Sequence, residues 1–279
     1  MLNNFKNYIF LINWTKWILI TFGILISALM LFIPLVFIFV TAFSEGLLVF
    51  KKNLLDCDML HAIFLTVFIA LLSLPINVVF GILLSWLVTR FSFRGRQLLL
   101  TLVNVPVAVS PVIAGFLYLL LYGYNTLIGG WLDSCNIQIL FAWPGMVLVT
   151  VFVTFPIIVH EIVPVMFSIG KEEDEVAVLL GASGWKMFWY VTFRNIRWSL
   201  LHGVILSNAR IIGEFGALSV VSGLIRGKTY TLSLQVELLY QDYNIVGAFV
   251  ASLLLGCMAI FTLFVKCIAR NYFTEAYLK

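Results

Sequence analysis

Long uninterrupted apolar runs dominate this sequence, and most charged residues fall in the short segments between them. The first run extends over residues 17–43, which is longer than the ~20 residues that a helix needs to cross a bilayer. The further runs cover residues 62–89, 97–122, 141–167, 200–222 and 245–268. Within lipid, a helix satisfies its backbone hydrogen bonds inside its own segment. The pattern therefore predicts an all-α polytopic membrane protein with about six transmembrane helices.

The composition supports a membrane protein and excludes other classes. Of the 279 residues, 62% are hydrophobic and only 11% are charged, whereas a soluble domain of this size needs a more charged surface. The first run is too long for a signal-peptide core, and no small-residue cleavage site follows it, so we expect a retained span. The net charge of +4 does not indicate nucleic-acid binding, because the basic residues lie scattered at the ends of apolar runs.

The distribution of basic residues predicts the orientation of the chain. If the N-terminus is cytoplasmic, twelve basic residues lie on the inner side: Lys6, Lys16, Arg90, Arg94, Arg96, Lys171, Lys186, Arg194, Arg197, Lys266, Arg270 and Lys279. The outer side then holds four: Lys51, Lys52, Arg226 and Lys228. Because cytoplasmic loops carry the excess of Lys and Arg, we expect both termini and residues 168–199 to be cytoplasmic.

Residues 168–199 form the most polar segment, and their pattern predicts a helix–turn–helix outside the bilayer. The four acids Glu172–Glu175 suit a helix N-terminus, and Gly181 and Gly184 suit a short turn. The second helix has an apolar face of Trp185, Phe188, Trp189, Phe193 and Ile196, and a polar face of Lys186, Tyr190, Arg194 and Arg197. Such an amphipathic element either rests on lipid headgroups or docks on a soluble partner.

The predicted fifth span carries two charged residues, Arg210 and Glu214, which a continuous helix would place on one face. Charges at membrane depth are costly and mark either an internal ion pair or a functional site. One interpretation is that they neutralise each other or partners on neighbouring helices. The other is that Arg210 sets the electrostatics of an anion path. Small residues surround them and favour a close helix or subunit contact: Ser207, Gly213, Gly216, Ala217 and Ser219.

Two other spans carry residues that disturb a simple helix. Pro106 and Pro111 free backbone groups in the third span, which indicates either kinks in a packed bundle or a broken helix beside the permeation path. In the fourth span, His160 and Glu161 precede Pro164, and we interpret them as an interfacial polar pair.

No catalytic, cofactor or metal motif is recognisable in the sequence. Gly223 and Gly227 precede Lys228 and Thr229, but three residues separate the glycines where a phosphate-binding Walker loop has four. The cysteines show no metal-binding spacing. Because no nucleotide-binding motif is present, any ATP hydrolysis must come from a partner.

Cys57 and Cys135 both fall in predicted outward loops, which leaves a disulfide between them as an open alternative.

The polar loop resembles the EAA loop of ABC-importer permeases, whose pattern is EAA-x3-G-x9-I-x-L-P. Glu175, Ala177 and Gly181 match this pattern at the right spacing. Val176 stands where the family has alanine, and Arg194 stands where it has proline, which affects the expected exit of the second helix. In that family, this loop docks in a groove of the cytoplasmic ATPase.

Two further stretches are similar to the sulfate/thiosulfate branch of that family. They are residues 108–115, with Ser110 and Pro111, and residues 213–243. Molybdate permeases share the Gly-Glu-Phe-Gly-Ala element that begins at Gly213. The same machine with molybdate or tungstate, a secondary transporter and an intramembrane enzyme remain as alternatives.

The resemblance implies a type I importer (MetI-like) fold in the cell inner (plasma) membrane, bacterial or plastid. The implied parts are residues 1–60 with the tail, first helix and outer loop, a core at 61–268 containing the coupling loop 168–199, and a cytoplasmic tail at 269–279. The first helix would pack peripherally. The implied partners are a second, CysT-like permease subunit, a CysA-like ATPase dimer and an external sulfate- or thiosulfate-binding protein.

The resemblance also implies roles for single residues. The residues expected to couple the permease to the ATPase are Glu175, Ala177, Gly181, Ala182 and Gly184. The residues expected at the translocation path or its gate are Ser110, Pro111, Arg210 and Glu214.

Overall fold

The structure is a computed structural model that describes the backbone of residues 2–277 and the side chains of residues 14–262 and 264. The described backbone forms helices joined by turns, without a strand. The helices are α1 Leu2–Ala42, α2 Leu47–Leu54, α3 Cys57–Arg90, α4 Arg96–Ala108, α5 Pro111–Tyr122, α6 Leu127–Ser134, α7 Trp143–Ile169, α8 Glu172–Leu179, α9 Gly184–Met187, α10 Phe193–Ile212, α11 Gly216–Val221, α12 Leu232–Gln241 and α13 Ile245–Tyr277, with a π turn Phe188–Thr192 between α9 and α10. The all-α class is confirmed.

Four helices are long and apolar enough to cross a membrane within the described residues. They are Trp14–Ala42 of α1, all of α3, all of α7, and Ile245–Thr262 of α13. Their mean hydropathies lie between 2.2 and 2.8. These helices correspond to the first, second, fourth and sixth predicted spans. Lys6 and the predicted cytoplasmic tail 269–279 lie outside the residues whose side chains the structure describes.

The third predicted span is a broken pair of helices, α4 and α5, bent by 105°. The break falls at Val109 and Ser110, whose backbones are extended. A residue before proline avoids the helical region, and Pro111 is favoured as the first residue of a new helix. Pro106 remains inside α4. Counting this pair as one span brings the total among the described residues to five.

The fifth predicted span, 200–222, is not a single helix. α10 begins earlier, at Phe193, and ends at Ile212, and α11 is a separate short helix after Gly213–Phe215. Neither helix is long and apolar enough to qualify as a span by itself. The prediction of one continuous helix was wrong. The buried carboxylate of Glu214 accepts a hydrogen bond from the Ala217 N–H at the start of α11, and this contact favours a separate helix over a continuation of α10.

The central helix of the bundle is α7, which packs against α3, α4, α5, α10 and α11. Its apolar side chains join those of α3, α11 and α12 in the main buried cluster, which includes Leu65, Ile69, Met146, Val149, Val153, Leu218, Val221 and Leu234. The most apolar window of α1 contains no buried residue, and α1 contacts α13, against which Ala42 at its end is buried. The first helix is therefore peripheral, as expected.

The loops predicted on the outer side contain short helices. Residues 44–61 include α2, residues 123–140 include α6, and residues 223–244 include α12. The start of α12 is fixed to α3, because the Leu232 N–H donates a 2.8 Å hydrogen bond to Thr66. Cys57 and Cys135 are exposed free cysteines, so the structure does not contain the disulfide that the sequence left open.

Candidate functional site

The polar segment 168–199 folds as the predicted helix–turn–helix at the end of the bundle where α3 and α7 end. α8 carries four acids in its first turn, Glu172–Glu175, where carboxylates offset the positive end of the helix dipole. Of the predicted coupling residues, Glu175, Gly181 and Gly184 are exposed, whereas Ala177 and Ala182 are half-buried.

The turn after α8 depends on Gly181, which has φ +83°. L-residues other than glycine rarely adopt this left-handed conformation. The turn closes with hydrogen bonds from the Gly181 N–H to the Val178 carbonyl and from the Ala182 N–H to the Ala177 carbonyl, at 2.9 and 3.0 Å. A Cβ at Gly181 would meet no atom within 4 Å, so the requirement for glycine comes from the backbone alone.

The second helix of the loop continues without a break through α9, the π turn and α10. The predicted apolar face forms an aromatic cluster in which Trp185 and Trp189 stand at ring-centroid distances of 6.1 and 5.8 Å from Phe188. Arg194 is exposed and lies inside α10, directly after the π turn. Arginine keeps the backbone N–H that proline lacks, so the departure from the family pattern leaves the helix continuous.

The tip of the loop exposes large apolar side chains, and two of them, Leu179 and Leu180, were among neither the predicted coupling residues nor the predicted apolar face. Leu179 and Leu180 are 85% and 83% exposed, and Trp185 is 71% exposed. Apolar side chains exposed together mark a surface that another molecule covers. The signal was present in the sequence, since the apolar run 176–180 lies between the acidic turn and Gly181.

The base of the loop is held by a charge contact that the sequence reasoning also missed. Arg90, the last residue of α3, forms an ion pair with Asp174 of α8, with 2.6 Å between Nε and Oδ2. Their side chains are 10% and 8% exposed. The two residues lie far apart in the sequence, so no local pattern indicates their contact.

The two broken spans pack against each other next to their breaks. A Cβ on Gly216 would lie 3.2 Å from Cβ of Pro111, and a Cβ on Gly115 would lie 2.8 Å from the Ala217 carbonyl oxygen. Glycine at both positions therefore permits the close approach of α5 and α11. Ser110, in the break before α5, is exposed, and Pro111 is half-buried. The predicted path residues Ser110 and Pro111 thus lie on an element that adjoins the Glu214 segment.

Arg210 and Glu214 form an ion pair with each other, one of the arrangements that the sequence left open, although Glu214 lies beyond the end of α10. Arg210 Nη2 is 3.3 Å from Glu214 Oε2, and the side chains are 46% and 1% exposed respectively. The other carboxylate oxygen of Glu214 accepts a 3.1 Å hydrogen bond from the Ala217 N–H. Glu214 is therefore a buried anchor, and it holds a half-exposed guanidinium at the break.

The His160–Glu161 pair predicted for the fourth span is not a local one. Glu161 pairs with His202 of α10, at 2.8 Å between Oε2 and Nδ1, while His160 is exposed. A Cβ on Gly203 would lie 3.3 Å from Cβ of Glu161, so glycine lets α10 approach α7 closely at this point. The polar groups of α7 thus join two helices of the core.

Comparison with known proteins places the chain among transport proteins. The family model described as "Binding-protein-dependent transport system inner membrane component" matches residues 77–273. The sulfate transport system permease protein CysW of Escherichia coli strain K12 is 66% identical over 255 residues, which cover 91% of this chain and 88% of that protein. The sulfate transport system permease protein CysT of the same strain is 35% identical over 172 residues, 62% of each chain.

The fold matches a solved structure of much lower sequence identity. A bacterial ABC transporter involved in the import of the acidic polysaccharide alginate superposes with a TM-score of 0.79, at 19% identity, covering 93% of this chain and 96% of that chain. The likeness shows the ABC-importer permease fold that the EAA-like loop implied. The chain belongs to the family of binding-protein-dependent transport system inner membrane components.

Proposed function

We propose that the chain is the permease subunit of an ATP-driven importer that moves sulfate or thiosulfate across the inner membrane. The observation that carries the proposal is the 66% identity to a sulfate permease, CysW, across 91% of the chain. The family model also matches residues 77–273, a range that includes the loop 168–199 and both broken-helix segments. The permease itself is not an enzyme, and ATP hydrolysis belongs to a partner.

The orientation follows from charge. Twelve of the basic residues are inside and four are outside if both termini are cytoplasmic. In this orientation, the ends of α3 and α7 and the loop 168–199 face the cytoplasm. We assign residues 1–60 to the peripheral N-terminal part, 61–268 to the core and 269–279 to the cytoplasmic tail.

The coupling loop is the docking element for a cytoplasmic ATPase dimer of the CysA type. Glu175, Gly181 and Gly184 present the exposed part of the turn, and Ala177 and Ala182 set its inner packing. Leu179 and Leu180 are exposed beside them, and burial of such side chains in a protein groove supplies affinity. Closure of the ATPase dimer would displace this loop and, through α10, the core.

The translocation path lies at the interface with a second permease subunit, where the broken helices offer polar groups at membrane depth. Non-helical backbone is tolerated there only beside protein or a wet cavity. Ser110 and Pro111 contribute the break in the α4–α5 pair, while Arg210 and Glu214 contribute the charge next to α11. The CysT relative identifies the kind of second subunit. An external binding protein delivers the anion.

Growth and uptake in cells test the proposal. The gene is introduced, with its CysT-like, CysA-like and binding-protein partners, into a strain without its own sulfate uptake. We expect growth on sulfate and uptake of labelled sulfate, both lost when the ATPase gene is omitted. Uptake of labelled molybdate without uptake of labelled sulfate would assign the chain to the related oxyanion importers. Sulfate uptake that persists without the ATPase would instead identify a secondary transporter.

A further inference from the structure

A buried ion pair fixes the docking helix α8 to the membrane core. Arg90 at the end of α3 and Asp174 of α8 are in contact at 2.6 Å, and neither side chain is more than 10% exposed. The acids on either side of Asp174 differ from it, since Glu173 and Glu175 are exposed. Asp174 is therefore the acid of the cluster that faces inward.

The ion pair lies in a network that joins four elements. Arg90 Nη1 also donates to the Gly170 carbonyl, which follows the end of α7, and the Lys171 ammonium donates to the Arg90 carbonyl at 2.8 Å. The second carboxylate oxygen of Asp174 accepts a 3.1 Å hydrogen bond from the hydroxyl of Thr192, in the π turn. One carboxylate thus contacts α3 and the π turn, and its arginine contacts the end of α7.

The π turn gives Thr192 its place in this network. Its backbone is closed by the Phe193 N–H donating to the Phe188 carbonyl, one residue further back than in an α-helix. Thr192, the last residue of the π turn, is completely buried, and its hydroxyl contacts Asp174 of α8. π turns inside helices frequently mark functional positions.

We propose that Asp174 is the positioning residue of the coupling loop, which locks α8 to α3, α7 and the π turn so that all move as one unit. The inference rests on the proposed function, because it takes an ATPase docked on the loop as the source of the movement. Separating Arg90 from Asp174 would leave both charges buried without a countercharge, and this is strongly unfavourable. The loop therefore cannot slide along the core, and its displacement passes to the membrane helices.

The test uses Asp174→Asn in the complete complex with both permeases, the ATPase and the binding protein, in proteoliposomes. Asparagine keeps the acceptor for Thr192 but removes the charge that Arg90 requires. We expect the ATPase to stay bound while sulfate transported per ATP hydrolysed falls by about fivefold or more. Glu172→Gln is the matched control, because it makes the same charge change at an exposed acid of the same helical turn and leaves the ratio unchanged. Thr192→Val, which replaces the hydroxyl with a methyl group, should also lower the ratio, but by less than Asp174→Asn does.

A distance measurement separates this inference from the identity of the substrate. Spin labels at Val178 on α8 and at Ser92, just beyond α3, report the link in complexes with and without a non-hydrolysable ATP analogue. We expect one narrow distance in the wild type in both states and a broadened one in Asp174→Asn. An unchanged narrow distance in the variant, or a parallel fall of transport and ATP hydrolysis, would overturn the inference. A wild-type complex that fails to move sulfate would argue against the proposed function instead, while the label distances would still decide the role of Asp174.

Discussion

Two carboxylates are buried among the described side chains, and both are paired with arginine. Asp174 pairs with Arg90, and Glu214 pairs with Arg210. The pairs differ in their arginines, because the Arg90 side chain is 10% exposed and the Arg210 side chain is 46% exposed. Asp174 thus belongs to a closed contact, whereas Arg210 keeps part of its guanidinium accessible. This difference supports the two proposed roles, a mechanical one for Asp174 and an electrostatic one for Arg210.

The asymmetry of the Arg210–Glu214 pair predicts unequal effects of neutralising its members. Arg210→Met leaves the Glu214 carboxylate buried without its countercharge, and because Arg210 is 46% exposed the cost should stay below the value of about 3 to 5 kcal/mol for a fully buried pair. Glu214→Gln keeps an oxygen for the Ala217 N–H and leaves a charge that is already half-exposed, so its cost should be smaller. Thermal unfolding of the purified complexes measures both. Equal destabilisation by the two substitutions would contradict the assignment of Glu214 as the buried anchor.

The backbone of Gly181 predicts the effect of the smallest substitution. Gly181→Ala adds a methyl group into open space but forces alanine to adopt φ +83°, at a cost of about 1 to 2 kcal/mol. If this turn docks on the ATPase, binding should weaken by about tenfold, as measured by titration of the purified ATPase. Gly256→Ala is the control, because its Cβ also meets open space without a positive φ. Undiminished binding by Gly181→Ala would show that the turn is not required for docking.

At the scale of elements, the molecule combines continuous helices with broken ones. α3 and α7 cross the bundle without interruption and carry most of its core contacts. The α4–α5 pair and the α10–α11 pair are both interrupted, and their second halves pack together through Gly115 and Gly216. In the proposed importer, the continuous helices would transmit movement, and the interrupted ones would present backbone and polar groups to the path.

The exposed tip of the coupling loop predicts a selective loss of docking. Leu180→Asp places a charge on a side chain that is 83% exposed, so the fold of the permease should be unaffected. Burial of a leucine contributes about 1.5 to 3 kcal/mol, and we therefore expect co-purification of the ATPase to be lost. Tyr243→Asp is the control, since Tyr243 is 91% exposed in the turn between α12 and α13, away from the loop 168–199 in the sequence. Retention of the ATPase by Leu180→Asp would exclude the leucine pair from the interface.

At the scale of the whole molecule, the parts that could be predicted from sequence are those set by local pattern. Apolar runs of spanning length predicted α1, α3, α7 and α13, and the acidic run before Gly181 predicted α8 and its turn. The break before α11 was not predicted, because it depends on burial of the Glu214 carboxylate in the folded bundle. The Arg90–Asp174 contact was missed for the same reason. Both features depend on contacts between residues that are distant in the sequence or buried in the folded bundle, and local periodicity does not predict such contacts.

The proposal that the chain is a subunit of an ATP-driven sulfate importer is tested most directly in proteoliposomes. They contain the chain with its CysT-like partner, the ATPase and the binding protein, and the measurement is uptake of labelled sulfate. We predict uptake that requires ATP and every one of these components. The loop should be essential, so that Glu175→Lys or Gly181→Asp abolishes both the retention of the ATPase and the uptake. Sulfate uptake that continues without ATP, or full activity in both loop variants, would contradict the account.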